Sequence, residues 1–286
     1  MAIWQAILLG IVQGLTEFIP ISSSAHLVII PWLFGWEDKV VMSLPFDMAL
    51  HLGTLVAVMA FFAGDWVRLI RAGVASLVER KIGADLDRRL AWFLVIGCIP
   101  GGIMGALAES RIENLFHSPD APHQASAMIA MAIIIALLGA LLFVAERLAR
   151  HERKMEQLSL KDAILIGLAQ ALAIFPGVSR SGSTITAGLA LGLERETAAR
   201  FSFLLSAPIV AGAGLKSLWE IYQDLHAGIL VQADLILFPI GFIAAAISGY
   251  LCIKLLLRFL LKNPTDVFVY YRWALAALIV VVAIVR

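Results

Sequence analysis

Gln13-Gly-Leu-Thr-Glu17-Phe-Ile-Pro20-Ile-Ser22-Ser23-Ser24-Ala-His26 is a polar stretch lodged between two apolar pieces, residues 3–16 and 27–35. Crossing roughly 30 Å of hydrocarbon takes about 20 apolar residues at about 1.5 Å each, and the longer piece reaches only about 21 Å. They read as half-helices joined by a serine-rich turn. The same layout returns at Pro176-Gly177-Val178-Ser179-Arg180-Ser181-Gly182-Ser183-Thr184, which joins residues 163–176 to residues 184–193. Irregular backbone at membrane depth survives only where protein or a water-filled cavity covers it. Each unit is therefore expected to be a re-entrant helical hairpin.

The rest of the chain supplies the membrane spans. Of its 286 residues 61% are hydrophobic and only 15% charged, with a mean hydropathy of +0.91, outside the balance of a soluble globular domain. Residues 90–108, 125–145 and 235–253 are long apolar runs without a charge. Three more carry polar interruptions: 45–62 with Asp47 and His51, 201–219 with Lys216, and 267–285 with Arg272. The expected fold is an all-α polytopic membrane protein with six transmembrane helices plus the two hairpins.

The first basic residue is Lys39, so the apolar start lacks the basic leader of a signal peptide and is expected to remain in the mature protein. A net charge of +1, with basic residues scattered among loops, gives no case for a nucleic-acid partner. Cys98 and Cys252 sit in apolar spans and read as small hydrophobes.

A shift of 157 residues carries Gly10 onto Gly167, Gln13 onto Gln170, Leu15 onto Leu172, Phe18 onto Phe175, Ser22 onto Ser179 and Ser24 onto Ser181. The polar coincidences mark an internal duplication: one membrane domain, residues 1–286, with repeat one at about 1–146 and repeat two at about 160–286. Arginine and lysine crowd residues 63–89 and 147–161, which places those loops in the cytoplasm. Residues 109–124 hold only Arg111, and 220–234 hold no basic residue, which places both outside. Three spans per half then give the halves opposite topology, an inverted repeat about an axis in the membrane plane. The first hairpin enters from outside and the second from the cytoplasm.

Gln13 and Glu17 stand four apart and share a helix face. An ionisable group inside a membrane segment usually marks a functional site; the bland alternatives are a snorkelling Glu17 and a Gln13 that bonds a neighbouring helix. Pro20 ends the first half-helix, and Ser22, Ser23 and Ser24 can cap the second, leaving backbone amides free for an anion. Serines at a helix start are more often caps than catalysts, but His26 falls three residues after Ser23, where its ring can lie over that hydroxyl and act as base. In the second turn Arg180 matches phosphate oxygens, and Ser179, Ser181, Ser183 and Thr184 add donors. Arg180 could instead serve only to neutralise Glu17.

QGLTEFIPISSSAH and PGVSRSGST resemble the two signature motifs of the undecaprenyl-diphosphate phosphatase family, the bacitracin-resistance proteins, and FDMALHLGTLVAV and RFSFLLSAP extend the similarity along the chain. The resemblance implies six spans with two re-entrant hairpins and hydrolysis of undecaprenyl diphosphate to undecaprenyl phosphate and inorganic phosphate. That reaction recycles the lipid carrier of peptidoglycan synthesis in the bacterial cytoplasmic membrane, at its outer face, and confers bacitracin resistance. It also implies a divalent cation, Mg²⁺ or Ca²⁺. Glu17, Ser23, His26 and Arg180 match the essential motif positions, with Ser22, Ser24, Ser179, Ser181, Ser183 and Thr184 as phosphate-binding residues and Gln13 in support. Family members carry Glu or Gln at the Gln13 position, and Gln removes a carboxylate, which weakens any metal site built on two acids. Glu17 remains a candidate ligand for one ion shared with diphosphate oxygens.

The expected partners are a polyprenyl diphosphate, the bilayer and, in a homodimer, a second copy of the chain. Ser23 is expected as nucleophile or as positioner of water, and Glu17 as metal holder or as orienter of His26. Two rivals stand beside this mechanism. A histidine-nucleophile phosphatase would draw on His51, which with Asp47 can equally be a buried pair. A transporter of a polyprenyl phosphate could use opposed half-helices without hydrolysis.

Overall fold

The structure is a computed structural model that describes residues 3–116, 125–175, 177–226 and 235–285. The loop histidines His117 and His123 fall outside these. Eleven α-helices account for most of the described residues: α1 Ile3–Thr16, α2 Ser23–Phe34, α3 Leu44–Phe61, α4 Ala63–Val78, α5 Leu86–Phe116, α6 Ala125–Leu148, α7 Leu160–Ala171, α8 Arg180–Ala190, α9 Arg195–His226, α10 Leu237–Leu260 and α11 Asp266–Val285. Six of them, α3, α5, α6, α9, α10 and α11, contain segments long and apolar enough to cross a membrane. The protein is an all-α, multi-pass membrane chain.

The short helices form two pairs, α1 with α2 and α7 with α8. α1 runs parallel to α10: Gly10 lies against Gly241, Gly14 against Ala245 and Gly249, and the Cys252 thiol donates to the Leu15 carbonyl at 3.2 Å. Between apolar helices in lipid no hydrophobic gain drives association, so close backbone approach through small residues does that work. A Cβ on Gly14 would overlap the Ser248 hydroxyl and stand 2.6 Å from the Ala245 carbonyl oxygen. The second pair uses the same device, with Gly167 of α7 so close to Gly97 of α5 that an added Cβ would overlap the Gly97 carbonyl.

The first turn packs over a core that the long helices share. Phe18 is fully buried there with Ala57, Phe203, Leu205 and Ile253 and meets Phe203 edge-on at 5.2 Å. The end of the bundle that carries the basic connections is stitched by ion pairs. Glu146 of α6 pairs with Arg195 of α9 and accepts the Thr265 hydroxyl at 2.8 Å. Arg153 pairs with Asp162 at the start of α7, and Arg200 reaches Asp65 at 3.0 Å.

Two local expectations are corrected. Residues 63–89, read as a charged loop, contain α4, whose apolar Val67, Ile70, Val74 and Leu77 are exposed along the helix beside Arg68 and Arg71. The second half-helices start earlier than their apolar runs, at Ser23 and Arg180. Ser22 and Ser179 take the N-cap positions, accepting from Ala25 N at 3.4 Å and Gly182 N at 3.0 Å, so the capping hydroxyls extend each helix back into the polar turn.

Candidate active site

Glu17 leaves the end of α1 buried and is met from three sides. Arg180, the first residue of α8, donates to Glu17 Oε1 at 2.7 Å. Ser23, the first residue of α2, donates its hydroxyl to Oε2 at 2.7 Å, and Gln13 Nε2 donates to the same oxygen at 3.1 Å. Ser23 and Arg180 each begin a helix that follows a polar turn, so two helix starts converge on one carboxylate. A guanidinium at a helix N-terminus opposes the helix dipole. Glu17 offsets that, and an arriving anion would do so further.

A cavity of about 260 Å³ opens beside this cluster, walled by Glu17, Ser23, Ser24, His51, Ser179 and Arg180 together with Met48, Gln170, two glycines of α5 and apolar side chains of α9. Of the residues expected to bind phosphate, Ser24 and Ser179 line it, Ser179 while also capping α8. The others are turned to structural tasks. Ser22 is buried in the cap, Ser181 donates to the Ile19 carbonyl at 3.2 Å and ties the turns together, and Ser183 bonds back to the Arg180 carbonyl at 3.0 Å. Thr184 donates to that same carbonyl at 2.7 Å and lies 2.6 Å from the Ser202 hydroxyl. In a helix these side chains find the i−3 and i−4 carbonyls closer than any ligand.

His26 is not placed over Ser23. Its Nδ1–H donates to the Ser22 carbonyl at 2.6 Å, leaving Nε2 to accept from the Tyr271 hydroxyl at 2.7 Å, and the ring stacks on Tyr271. The Ser23 hydroxyl is bonded to Glu17 where the spacing had put the His26 ring, and the imidazole holds a backbone carbonyl instead. Ser22 stands at φ 75°, a left-handed conformation that costs an L-residue about 1–2 kcal/mol, and His26 grips its carbonyl.

Three polar residues without an assigned role in the sequence stand in or near the site. His51 donates Nδ1–H to the Asp47 carbonyl at 2.8 Å and points Nε2 at Glu17 Oε2, 3.6 Å away. Gln170 lines the cavity, and its equivalence to Gln13 was the available signal. Arg272 of α11 is fully buried and bonds the Pro20 carbonyl through Nε. Neither of its terminal nitrogens has a hydrogen-bond partner among the described residues.

The Bacitracin resistance protein BacA family matches residues 6–278. The chain belongs to that family. Proteins named undecaprenyl-diphosphatase from Thermomicrobium roseum and Moorella thermoacetica are 45% and 46% identical to it, each over 99% of this chain and 98% of their own length. One from Caldicellulosiruptor bescii is 42% identical over 100% of this chain and 99% of its own. Both polar turns of this BacA-family chain lie within the matched region.

The donor set does not fit a metal held by the protein alone. Glu17 is the single acidic side chain lining the cavity, its oxygens are engaged by Arg180, Ser23 and Gln13, and among the described residues no cluster of three or more His, Cys, Asp or Glu side chains forms.

Proposed function

We propose that this chain is an undecaprenyl-diphosphatase, cleaving undecaprenyl diphosphate to undecaprenyl phosphate and inorganic phosphate. It recycles the lipid carrier of cell-wall synthesis and so confers bacitracin resistance. The observation that carries this is the chain Ser23–Glu17–Arg180 in one cavity, in a family whose close relatives bear that name. The α1–α2 and α7–α8 pairs are re-entrant hairpins of an inverted repeat in the bacterial cytoplasmic membrane. The basic connections face the cytoplasm and the mouth of the Glu17 hairpin faces outward.

Arg180 and the first amides of α8 hold the terminal phosphoryl oxygens, because a fork of N–H donors at a helix N-terminus matches that anion. Glu17 accepts the proton of the Ser23 hydroxyl as an oxygen nucleophile attacks phosphorus in line. The bridging P–O bond breaks and undecaprenyl phosphate leaves with that oxygen. With Ser23 as nucleophile, an Oγ–P bond forms, and water then cleaves it to release phosphate and return the proton. With Ser23 as positioner, water attacks directly. Most of the acceleration is electrostatic in either case. Ser24 and Ser179 complete the cradle, and His26 keeps the Ser22 turn in place. A divalent ion, where the reaction uses one, would supply further neutralisation of the diphosphate charge.

The test is phosphate release from undecaprenyl diphosphate by purified wild type and Glu17→Gln side by side. Release by wild type alone is expected. Release by both would remove Glu17 from the mechanism, and release by neither, across pH and divalent cations, would overturn the activity.

A further inference from the structure

The cavity at Glu17 takes the diphosphate, yet at about 260 Å³ it leaves no place for a long isoprenoid chain. A second hollow, of about 470 Å³, lies between α3, α9 and α10. Its walls include Met48, Leu52 and Val56 of α3, Leu218 of α9, and Phe238 and Phe242 of α10; Ser217 brings its sole side-chain hydroxyl.

The two hollows adjoin along α3 and α9. Met48 borders both, and on α3 it begins the i, i+4, i+8 stripe Met48, Leu52, Val56, which occupies one helix face. On α9 the stripe Ile209, Ala213, Ser217 has the same spacing. Its first two residues wall the Glu17 cavity and its third the apolar cleft. The outer lip is open, with Val56 46% and Leu218 51% exposed on helices apolar enough to cross a membrane.

A headgroup site joined to an apolar cleft that opens sideways fits a molecule with a charged head and a hydrocarbon tail. We propose that this cleft is the binding site for the first units of the substrate's isoprenoid chain. It guides the diphosphate to Glu17 and Arg180 while the remainder of the chain stays in the bilayer. The inference rests on the function proposed above and adds to it a determinant of chain-length preference.

The experiment compares undecaprenyl diphosphate with the two-unit geranyl diphosphate, using wild type, Val56→Trp, Leu218→Trp and the control Leu141→Trp. Leu141 is 56% exposed on α6, away from the cleft. The indole of either cleft variant fills the lip from the lipid side, so the ratio of kcat/KM for the long over the short substrate falls about tenfold. The control keeps the wild-type ratio. Equal losses on both substrates, or no loss, would overturn the proposal and leave the cleft to bilayer lipid. Equal losses accompanied by a changed oligomeric state in size-exclusion chromatography would overturn it in favour of a second copy. In parallel, an undecaprenyl diphosphate with a photoreactive group on its first isoprene units is expected to label peptides containing Leu52 or Phe242. Label confined elsewhere would overturn the cleft. This arm needs no turnover, so a protein that releases no phosphate from either substrate fails as a diphosphatase while the cleft is still decided.

Discussion

Glu17 has three donors, and each can be removed separately. Glu17→Gln takes away the proton acceptor of Ser23 and is expected to lower kcat by about 10²–10⁴-fold, the usual scale of a general base. Arg180→Lys keeps the charge but loses the fork, and a lost charge-assisted hydrogen bond of about 1.5–3 kcal/mol predicts a fall in kcat/KM of about 10- to 100-fold. Phosphate-release kinetics read both. Ser22 gives a test of backbone and not of chemistry. Because it stands at φ 75°, Ser22→Gly should unfold at higher temperature than Ser22→Ala, by about 1 kcal/mol in stability. Equal stabilities would contradict the left-handed turn. At this scale the sequence was readable where a residue type forces its environment. A carboxylate and a guanidinium in apolar segments have to find each other, and Glu17 and Arg180 do. The partner of Ser23 was not readable, because i+3 spacing brings His26 near the hydroxyl but does not reveal that the Ser22 carbonyl and Tyr271 claim both ring nitrogens. His51 was visible as a neighbour of Asp47 and as a group for the rival histidine mechanism, but not as a neighbour of Glu17, since that approach depends on how α3 packs.

Among the elements, the six long helices were legible from length and hydropathy, and the short pairs from being too short. α4 was not, because its arginines fall among apolar residues and the segment reads as a basic connection. The beginnings of α2 and α8 were misjudged for a related reason: apolar runs start at Leu27 and Thr184, whereas the helices start where the caps are. The close packing of α1 on α10 also needed the fold. It predicts that Gly14→Val forces α1 away from Ser248 and Gly249, costing about 1–3 kcal/mol or more by overpacking and carrying Glu17 out of register. Thermal unfolding in detergent should drop together with phosphate release. Loss of release without destabilisation would show that Gly14 has a different role.

For the whole molecule, stability at the basic end depends on pH in a calculable direction. Asp162 lies outside the long helices, at the start of α7. Burial alone would raise its carboxyl, but hydrogen bonds from Arg153 and Ser159, with the Arg153 charge, hold it below the ordinary carboxylate range. A carboxyl lowered on folding contributes stability that is complete above its unfolded value and is lost as pH falls through the folded one. The gap in unfolding temperature between wild type and Asp162→Asn should therefore be widest near neutrality and close in acid. A gap that grows in acid would contradict the pairing.

Arg272 has a consequence for ligand linkage. Its guanidinium is fully buried beside the turns, it forms no ion pair with an acidic side chain among the described residues, and its terminal nitrogens are unbonded. Since Glu17 already balances Arg180, the interior near the turns carries a surplus positive charge. A fold with such a surplus is held below its attainable stability, and any anion that binds only the folded state returns part of the difference by mass action. Inorganic phosphate, one of the two products, should thus raise the unfolding temperature of the wild type in a concentration-dependent way, and by less in Arg272→Gln. The protein would then be sturdiest while occupied and most yielding between turnovers.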